Sequence, residues 1–416
     1  MAVRTCYRRT ISENIVMKVL VPIHIDFFAN ILKNYGFEVR IVGGYVRDML
    51  NQITPTEVDL ATNALPNDVI KICTSHHIKC IPTGIKHGTV TAIVQGHSTE
   101  VTTLRQDKDC DGRHANVHFT SNWQNDAMRR DFTINAMYMD MNGYIIDYFN
   151  GQEDLKAGIV RFIGNPEQRI HEDYLRILRY FRFLGYFEKL NIHKDSFEFA
   201  VKLSDNLNKL SIERIRLELL KILSCRFKTL AIQIMLQNSI FNAIGFDFKF
   251  NNLSFFCDDP IINLAALMKI SDLNSDIKVL KKFTNTEQKI IYNLLKIDFS
   301  KNFECIMNSI IMERDYSNQC SRGMQEFGKN LFIKLFKLYF ILNINLFNIE
   351  NPQEFLVYHE TVFQNIILKE FPLNGNDILE LGYQKQEIGE KLKLAKKLWI
   401  DSDFTMMKHQ LIILVK

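Results

Sequence analysis

The chain has 416 residues, 47% hydrophobic and 24% charged, an ordinary composition for two or three globular domains. It argues against disorder, a stapled mini-protein and, with no apolar run of about 18 residues, a membrane span. Its 51 basic and 47 acidic side chains leave a net charge of +4, too small to name a polyanionic partner without a local argument.

Eight cysteines are scattered with no C-x-x-C pair, which argues against a zinc ribbon or disulfide framework and for a reducing, cytoplasmic setting. Arg4, Arg8 and Arg9 are followed by Glu13 and no apolar stretch, so no secretory signal is read and residues 1–22 are expected to be a tail. Helical patterns at 26–35 and 68–74 then alternate with strand-like runs at 37–42, 90–94, 100–104 and 144–148. They predict a mixed α/β domain ending near residue 150. From about Glu167 the apolar period becomes 3.6, most plainly over 211–223, where Ser211 suits an N-cap and Glu213 the first turn. The expected fold class is α+β, a mixed sheet with helices followed by an all-α remainder. Residues 1–150 carry 15 basic and 15 acidic side chains, so the whole positive surplus lies in the helical part, the better holder of a polyanion.

Four segments carry chemistry. Gly43 and Gly44 sit between a predicted strand and a helix, where backbone amides can approach a phosphate, and Arg47 follows one turn later. Taken alone, they also fit a plain turn. Glu57-Val-Asp59 places two carboxylates at i and i+2, on one side of a strand, where they can hold a divalent cation for phosphoryl transfer; Glu100 opens a later strand and completes a trio. Arg129, Arg130, Asp131 and Asn135 set two guanidinium groups, a carboxylate and an amide beside apolar Phe132, Ile134 and Ala136, a pattern that also fits a salt-bridged surface turn. The fourth segment is Glu172-Asp-Tyr-Leu-Arg-Ile-Leu-Arg-Tyr-Phe-Arg-Phe183. On one helix, at about 100° per residue, Asp173, Arg176 and Arg179 share one sector of about 120°, and Ile177, Leu178, Phe181 and Leu184 fill another. An Asp acceptor beside an Arg donor matches the pairing edges of cytosine and adenine and opposes those of guanine and uracil; an ordinary surface ion pair is the alternative.

The ordered set Gly43-Gly44-x-Val46-Arg47-Asp48, Glu57-x-Asp59-Leu-Ala-Thr62, Thr83-Gly-x-x-His87-Gly-Thr89, Asp111-Gly-Arg-His114, Arg129-Arg-Asp-Phe-Thr-x-Asn135-Ala and Glu172-Asp-x-x-Arg176-x-x-Arg179 resembles the class II tRNA nucleotidyltransferases. These are the CCA-adding enzymes of the tRNA nucleotidyltransferase/poly(A) polymerase family in the polymerase β superfamily; the aromatic stretch 179–183 is most similar to their α-proteobacterial and mitochondrial branch. The resemblance implies a nucleotidyltransferase head at 23–150, a nucleotide-selecting neck at 151–225, a helical body at 226–330 and a helical tail at 331–416. It implies template-independent addition and repair of the 3′-terminal CCA of tRNA from CTP and ATP, with release of pyrophosphate. The partner is then the tRNA acceptor arm, with no membrane and no obligatory protein partner. Position by position, Gly43, Gly44 and Arg47 would bind the triphosphate, and Glu57 and Asp59 would hold Mg²⁺ with Glu100 as a third catalytic carboxylate. Arg129, Arg130, Asp131 and Asn135 would contact the nucleotide, and Asp173 and Arg176 would serve as a protein template supported by Arg179 and Arg182. The 104–119 segment, with Asp111, Gly112, Arg113 and His114, is similar to the flexible loop needed for the terminal A. The implied location is cytoplasmic, or mitochondrial in a eukaryote.

One position departs from the family pattern. The first catalytic carboxylate is usually Asp, and Glu57 adds a methylene that, on a strand, would carry its oxygen about 1.5 Å too far and slow transfer. Two other activities are weighed. A bacterial poly(A) polymerase shares the head but usually has Pro two places before the first template Arg and then an Ala-rich stretch, whereas this chain has Leu175 and the aromatic stretch 179–183. A non-catalytic tRNA-binding protein has no need of Glu57, Asp59 and Asp173 together.

Overall fold

The computed structural model describes residues 3–7, 18–111, 114–249, 254–273, 280–297, 301–312 and 316–416. They form two compact units, 1–218 with 225–245, and 219–224 with 246–416. The expected boundaries at 150 and 330 thus fall inside units. The segment expected as a tail carries two antiparallel strands, β1 (Val3–Tyr7) and β2 (Lys18–Pro22).

The first unit is organised by a seven-stranded mixed sheet. In chain order its strands are β3 (Val39–Val42), β4 (Asp59–Thr62), β5 (Lys79–Gly84), β6 (Thr89–Val94), β7 (His97–Thr103), then β10 (Met137–Met139) and β11 (Ile145–Asp147); their order in the sheet is β11-β10-β3-β4-β7-β6-β5. All neighbouring pairs are antiparallel except β4 and β7. That parallel pair lies in the middle of the sheet, and residues 63–96 between the two strands supply the long connection that parallel pairing needs. Along β6 and β7, Val90, Ala92, Val94, Thr99, Val101 and Thr103 are buried in strict alternation with less buried residues. Helices α1 (Ile23–Asn34) and α3 (Pro66–Ser75) pack on this sheet through Ile25, Phe28, Leu32, Val69 and Ile72. Asp59 is in register with Glu100, which is out of phase with the buried residues of β7, so both acids project from the other face. On that face Ala61 packs with Trp123 and Ala127 of α4 (Trp123–Met128) and with Tyr138.

Two expectations are corrected. Glu57 is not on a strand: β4 begins at Asp59, because its partner β3 ends at Val42 and the next residue, Gly43, turns into α2 (Gly44–Leu50) at φ +71°. The helix expected to run unbroken through Glu172–Phe183 is two helices, α6 (Pro166–Glu172) and α7 (Leu175–Leu184), with Asp173 extended at φ −158° and ψ 107°. Its carboxylate accepts from the Leu175 amide at 3.1 Å. This local bond competes with the helical ladder and restarts it. The apolar face of α7 is as expected: Ile177, Leu178, Phe181 and Leu184 are buried, and Tyr180 with them. Phe132, Phe162, Tyr180 and Phe183 form an aromatic cluster with centroid separations of 4.8 to 6.1 Å. That cluster packs the Arg129–Asp131 segment against α7.

The segment resembling the flexible loop is a separate β-ribbon of β8 (Arg105–Asp111) and β9 (His114–Phe119), in which Asp111 pairs with His114; Gly112 and Arg113 lie outside the described residues. After α9 (Ile212–Ser224) the described residues are helices and connections, and among them no helix is long and apolar enough to cross a membrane. One core of the second unit gathers Leu373, Ile378, Ala395, Trp399, Phe404, Leu411 and Val415. In another, His359 is fully buried, with ring centroids 4.1 Å from Phe355 and 5.3 Å from Phe336. Burial lowers its pKa from 6.5 to about 4.

The unfolded chain therefore binds a proton at His359 that the folded chain refuses between pH 6.5 and about 4. Stability falls as pH drops through this window, by up to about 1.4 kcal/mol per pH unit. Urea unfolding of wild type and His359→Leu checks this: the variant's stability should vary less steeply with pH over that interval, whatever its absolute value.

Candidate active site

A cleft of about 680 Å³ in the first unit is lined by Gly43, Gly44, Arg47, Glu57, Asp59, Arg129, Arg130, Asp131, Asn135, Asp173, Arg176, Arg179 and Arg182. Every residue expected to contact the nucleotide is among them. Glu100 is not in the lining but lies beside Asp59 across the β4–β7 pair.

At the carboxylate end Asp59 opens to the cleft, yet its walls exclude enough water to push its carboxyl up to about 6. Burial contributes most, then the charges of Glu100 and Glu57. Among the described residues no three His, Cys, Asp or Glu are close enough together to enclose a metal. The donor set itself, hard oxygens in mutual repulsion, is one that a divalent cation relieves.

Six of the seven guanidinium groups lining the cleft are held by acids, and the seventh, that of Arg105, donates to the His87 carbonyl oxygen. Arg47 donates to Asp48 at 2.7 and 2.9 Å and to Asn135 at 2.8 Å; Tyr186 donates to the same Asp48 oxygen. Arg129 and Arg130 both donate to Asp126, at 2.8 and 3.2 Å. Asp126 is 1% exposed and also accepts from the Tyr138 hydroxyl at 2.7 Å and the Arg105 amide at 3.2 Å. Burial opposes its charge, but Arg130, Arg129 and Tyr138 overcome that and hold its pKa at about 2. Asp131 is buried and accepts from Arg179 at 2.6 Å, Asn135 at 3.1 Å and its neighbour's amide at 2.9 Å. Here too burial opposes ionisation, and Arg179 leads the groups that lower the pKa. The surface-turn reading of this segment is thereby set aside.

Asp173 and Arg176 share the cleft without pairing. Asp173 accepts from Arg214 of α9 at 2.8 Å, and Arg176 donates to Glu172 at 2.6 Å. Arg182 pairs with Glu218. The Phe183 ring lies between three of the guanidinium groups, 5.1 Å from Arg47, 5.7 Å from Arg179 and 4.3 Å from Arg182.

Sequence reasoning gave no role to Asp126, Arg169, Arg214 or Glu218, and did not single out His87, Arg105, Val117, Glu172 or Phe183, which also line the cleft. His87 and Glu172 stood inside quoted motifs without a role. The one local signal for Asp126 is its position three and four residues before Arg129 and Arg130 on a short helix.

Paired acids beside a glycine–arginine turn, in a cleft walled by pinned arginines, define a nucleotidyltransferase. The comparisons agree. A model described as poly A polymerase head domain matches residues 39–161, and one described as probable RNA and SrmB-binding site of polymerase A matches 189–245. The human mitochondrial CCA tRNA nucleotidyltransferase 1 is 35% identical over 402 residues, covering 91% of this chain and 86% of that protein. The CCA-adding enzyme of Lactobacillus helveticus is 43% identical over 214 residues, about half of each chain. Among solved structures, the Bacillus stearothermophilus CCA-adding enzyme in complex with CTP has the same fold, with a TM-score of 0.69 at 23% identity, covering 94% of this chain and 95% of that one. The chain belongs to the CCA tRNA nucleotidyltransferases. Its activity is the addition of CCA to tRNA.

Removing Asp126 strands two arginines in a nearly dry site. Asp126→Ala is expected to lower unfolding stability by about 3–5 kcal/mol, read by urea titration, with Asp126→Asn losing less.

Proposed function

We propose that the cleft completes and repairs the 3′-terminal CCA of tRNA through a division of labour among these residues. The tRNA 3′-hydroxyl attacks the α-phosphate of CTP or ATP and pyrophosphate leaves. Gly43, Gly44 and Arg47 receive the triphosphate, with Arg129 and Arg130 along the same wall, while Asp131 and Asn135 hold Arg179 and Arg47 in place. Divalent metal is general to nucleotidyltransferases; here Glu57 and Asp59 would hold Mg²⁺, with Glu100 adding negative charge beside them, and the bound ion would supply charge stabilisation at the reacting phosphate. Asp173 accepts from the exocyclic amino group of cytosine or adenine, and Arg176 donates to the neighbouring ring nitrogen. Guanine and uracil would leave both groups unpaired. The Arg214 and Leu175 bonds to Asp173 fix its carboxylate and still leave lone pairs for the base.

The observation that carries this reading is the convergence of the acids, the glycine–arginine turn and the Asp173–Arg176 pair on one cleft. The 23–150, 151–225, 226–330 and 331–416 divisions are read as head, neck, body and tail, the last two holding the tRNA. Cys73, Cys80, Cys225, Cys257 and Cys305 are in no disulfide, and the human and mouse relatives are named mitochondrial. Both support a reducing compartment, the cytoplasm or, in a eukaryote, the mitochondrion.

The decisive experiment supplies tRNA transcripts lacking CCA, CA or A with CTP, ATP or both, and Mg²⁺. Extension should stop at CCA; long A tails would indicate a poly(A) polymerase, and no extension a non-catalytic binder. Asp59→Ala should abolish transfer, and Asp173→Ala should relax base choice.

Glu57 and Asp59 differ in how firmly the backbone holds them. Because residues 53–58 are outside the sheet ladder, the chain there can take up an extra methylene, and the slow transfer expected from strand placement does not follow. Glu57→Asp should change kcat by less than about threefold, whereas Asp59→Glu, fixed in register, should cost more than about tenfold. Single-turnover rates with CTP compare the two.

A further inference from the structure

Arg169 of α6 is only 11% exposed at its side chain, and the chemistry described so far does not use it. Its Nη2 donates to the carbonyl oxygens of Arg129 at 2.5 Å and Arg130 at 2.7 Å. These carbonyls follow the end of α4, where a helix has acceptors left over and its dipole favours a cation. The other arm, Nη1, donates to the Glu172 carboxylate. Arg176 reaches the same network from α7: its Nη1 donates to Glu172 Oε2 and to the backbone oxygen of Arg169, both at 2.6 Å. The backbone carrying the two triphosphate-side arginines is thus joined through one guanidinium to the two acceptors that aim Arg176.

We propose that Arg169 is a positioning residue for base selection, fixing Arg176 relative to the Arg129–Arg130 backbone so that the incoming base is read at a set distance from its own phosphates. This rests on the reading of Arg176 as the donor to the base. The planar fork matters more than the charge. An ammonium group cannot reach two carbonyls on one side and a carboxylate on the other with fixed geometry. Without the fork, α6 and the Arg176 side chain can shift relative to α4, and a pyrimidine with reversed donor and acceptor order is rejected less sharply.

The test measures kcat/KM for CTP and for UTP on a tRNA transcript lacking CCA, in wild type, Arg169→Lys, Arg169→Ala, Arg176→Ala and the Arg169→Ala/Arg176→Ala double variant. Thermal unfolding of each variant is followed alongside. Arg169→Lys and Arg169→Ala should each lower the CTP:UTP selectivity by about tenfold, the worth of one charge-assisted hydrogen-bonded link. The double variant should be no less selective than Arg176→Ala alone. If Arg169→Ala does not fold, Arg169→Lys carries the same comparison. Unchanged selectivity in the Arg169 variants, with only stability or kcat reduced, overturns the proposal while Arg176→Ala still shows relaxed choice. If Arg176→Ala itself keeps full selectivity, the base-reading role fails first and the proposal falls with it.

Discussion

Seven arginines line one cleft, and six of them would drive each other apart if their guanidinium groups were not held by carboxylates. Asp126 holds Arg129 and Arg130, Asp131 holds Arg179, Asp48 holds Arg47, Glu172 holds Arg176 and Glu218 holds Arg182. Several of these acids are themselves almost dry, so neither member of such a pair can be removed without leaving a charge uncompensated. The arrangement stabilises little by itself. What it secures is orientation: the donors are fixed in advance and, on the proposed reading, need no reorganisation when a nucleotide arrives. The acids at the other end of the cleft obey the opposite rule. Asp59, Glu100 and Glu57 have one another for neighbours, and Arg130 tempers Asp59.

This accounts for the even charge of residues 1–150. A site that gathers guanidinium groups beside a patch of carboxylates calls for acids as well as bases, and residues 1–150 carry 15 of each. Net charge therefore says nothing about nucleotide binding in the first 150 residues.

The contents of the cleft were largely legible in the sequence because motif residues there are close in number: Gly43, Gly44 and Arg47, Glu57 and Asp59, Arg129 to Asn135. The sheet was legible for a related reason, since Val90, Ala92 and Val94 alternate with less buried residues as a half-buried strand must. What escaped were pairings between distant positions. Arg182 with Glu218, Arg214 with Asp173 and Arg179 with Asp131 span 36, 41 and 48 residues, and no local period reports them. The break at Asp173 escaped because a helical repeat continues across it. The extended backbone at Asp173, and the bond its carboxylate accepts from the Leu175 amide, show that the chain leaves the helix and re-enters it.

The Phe183 ring has a consequence of its own. It is 4% exposed and touches guanidinium groups from both α2 and α7. Attraction between a cation and an aromatic face acts at contact range, and among partly buried groups salt screens it much less than it screens exposed charges. Raising the ionic strength weakens associations that depend on exposed charges, but it leaves this arrangement nearly as it was. The grip on a long polyanion and the shape of the nucleotide pocket therefore answer to salt separately, and an enzyme of this build can let go of its RNA while its nucleotide site stays assembled.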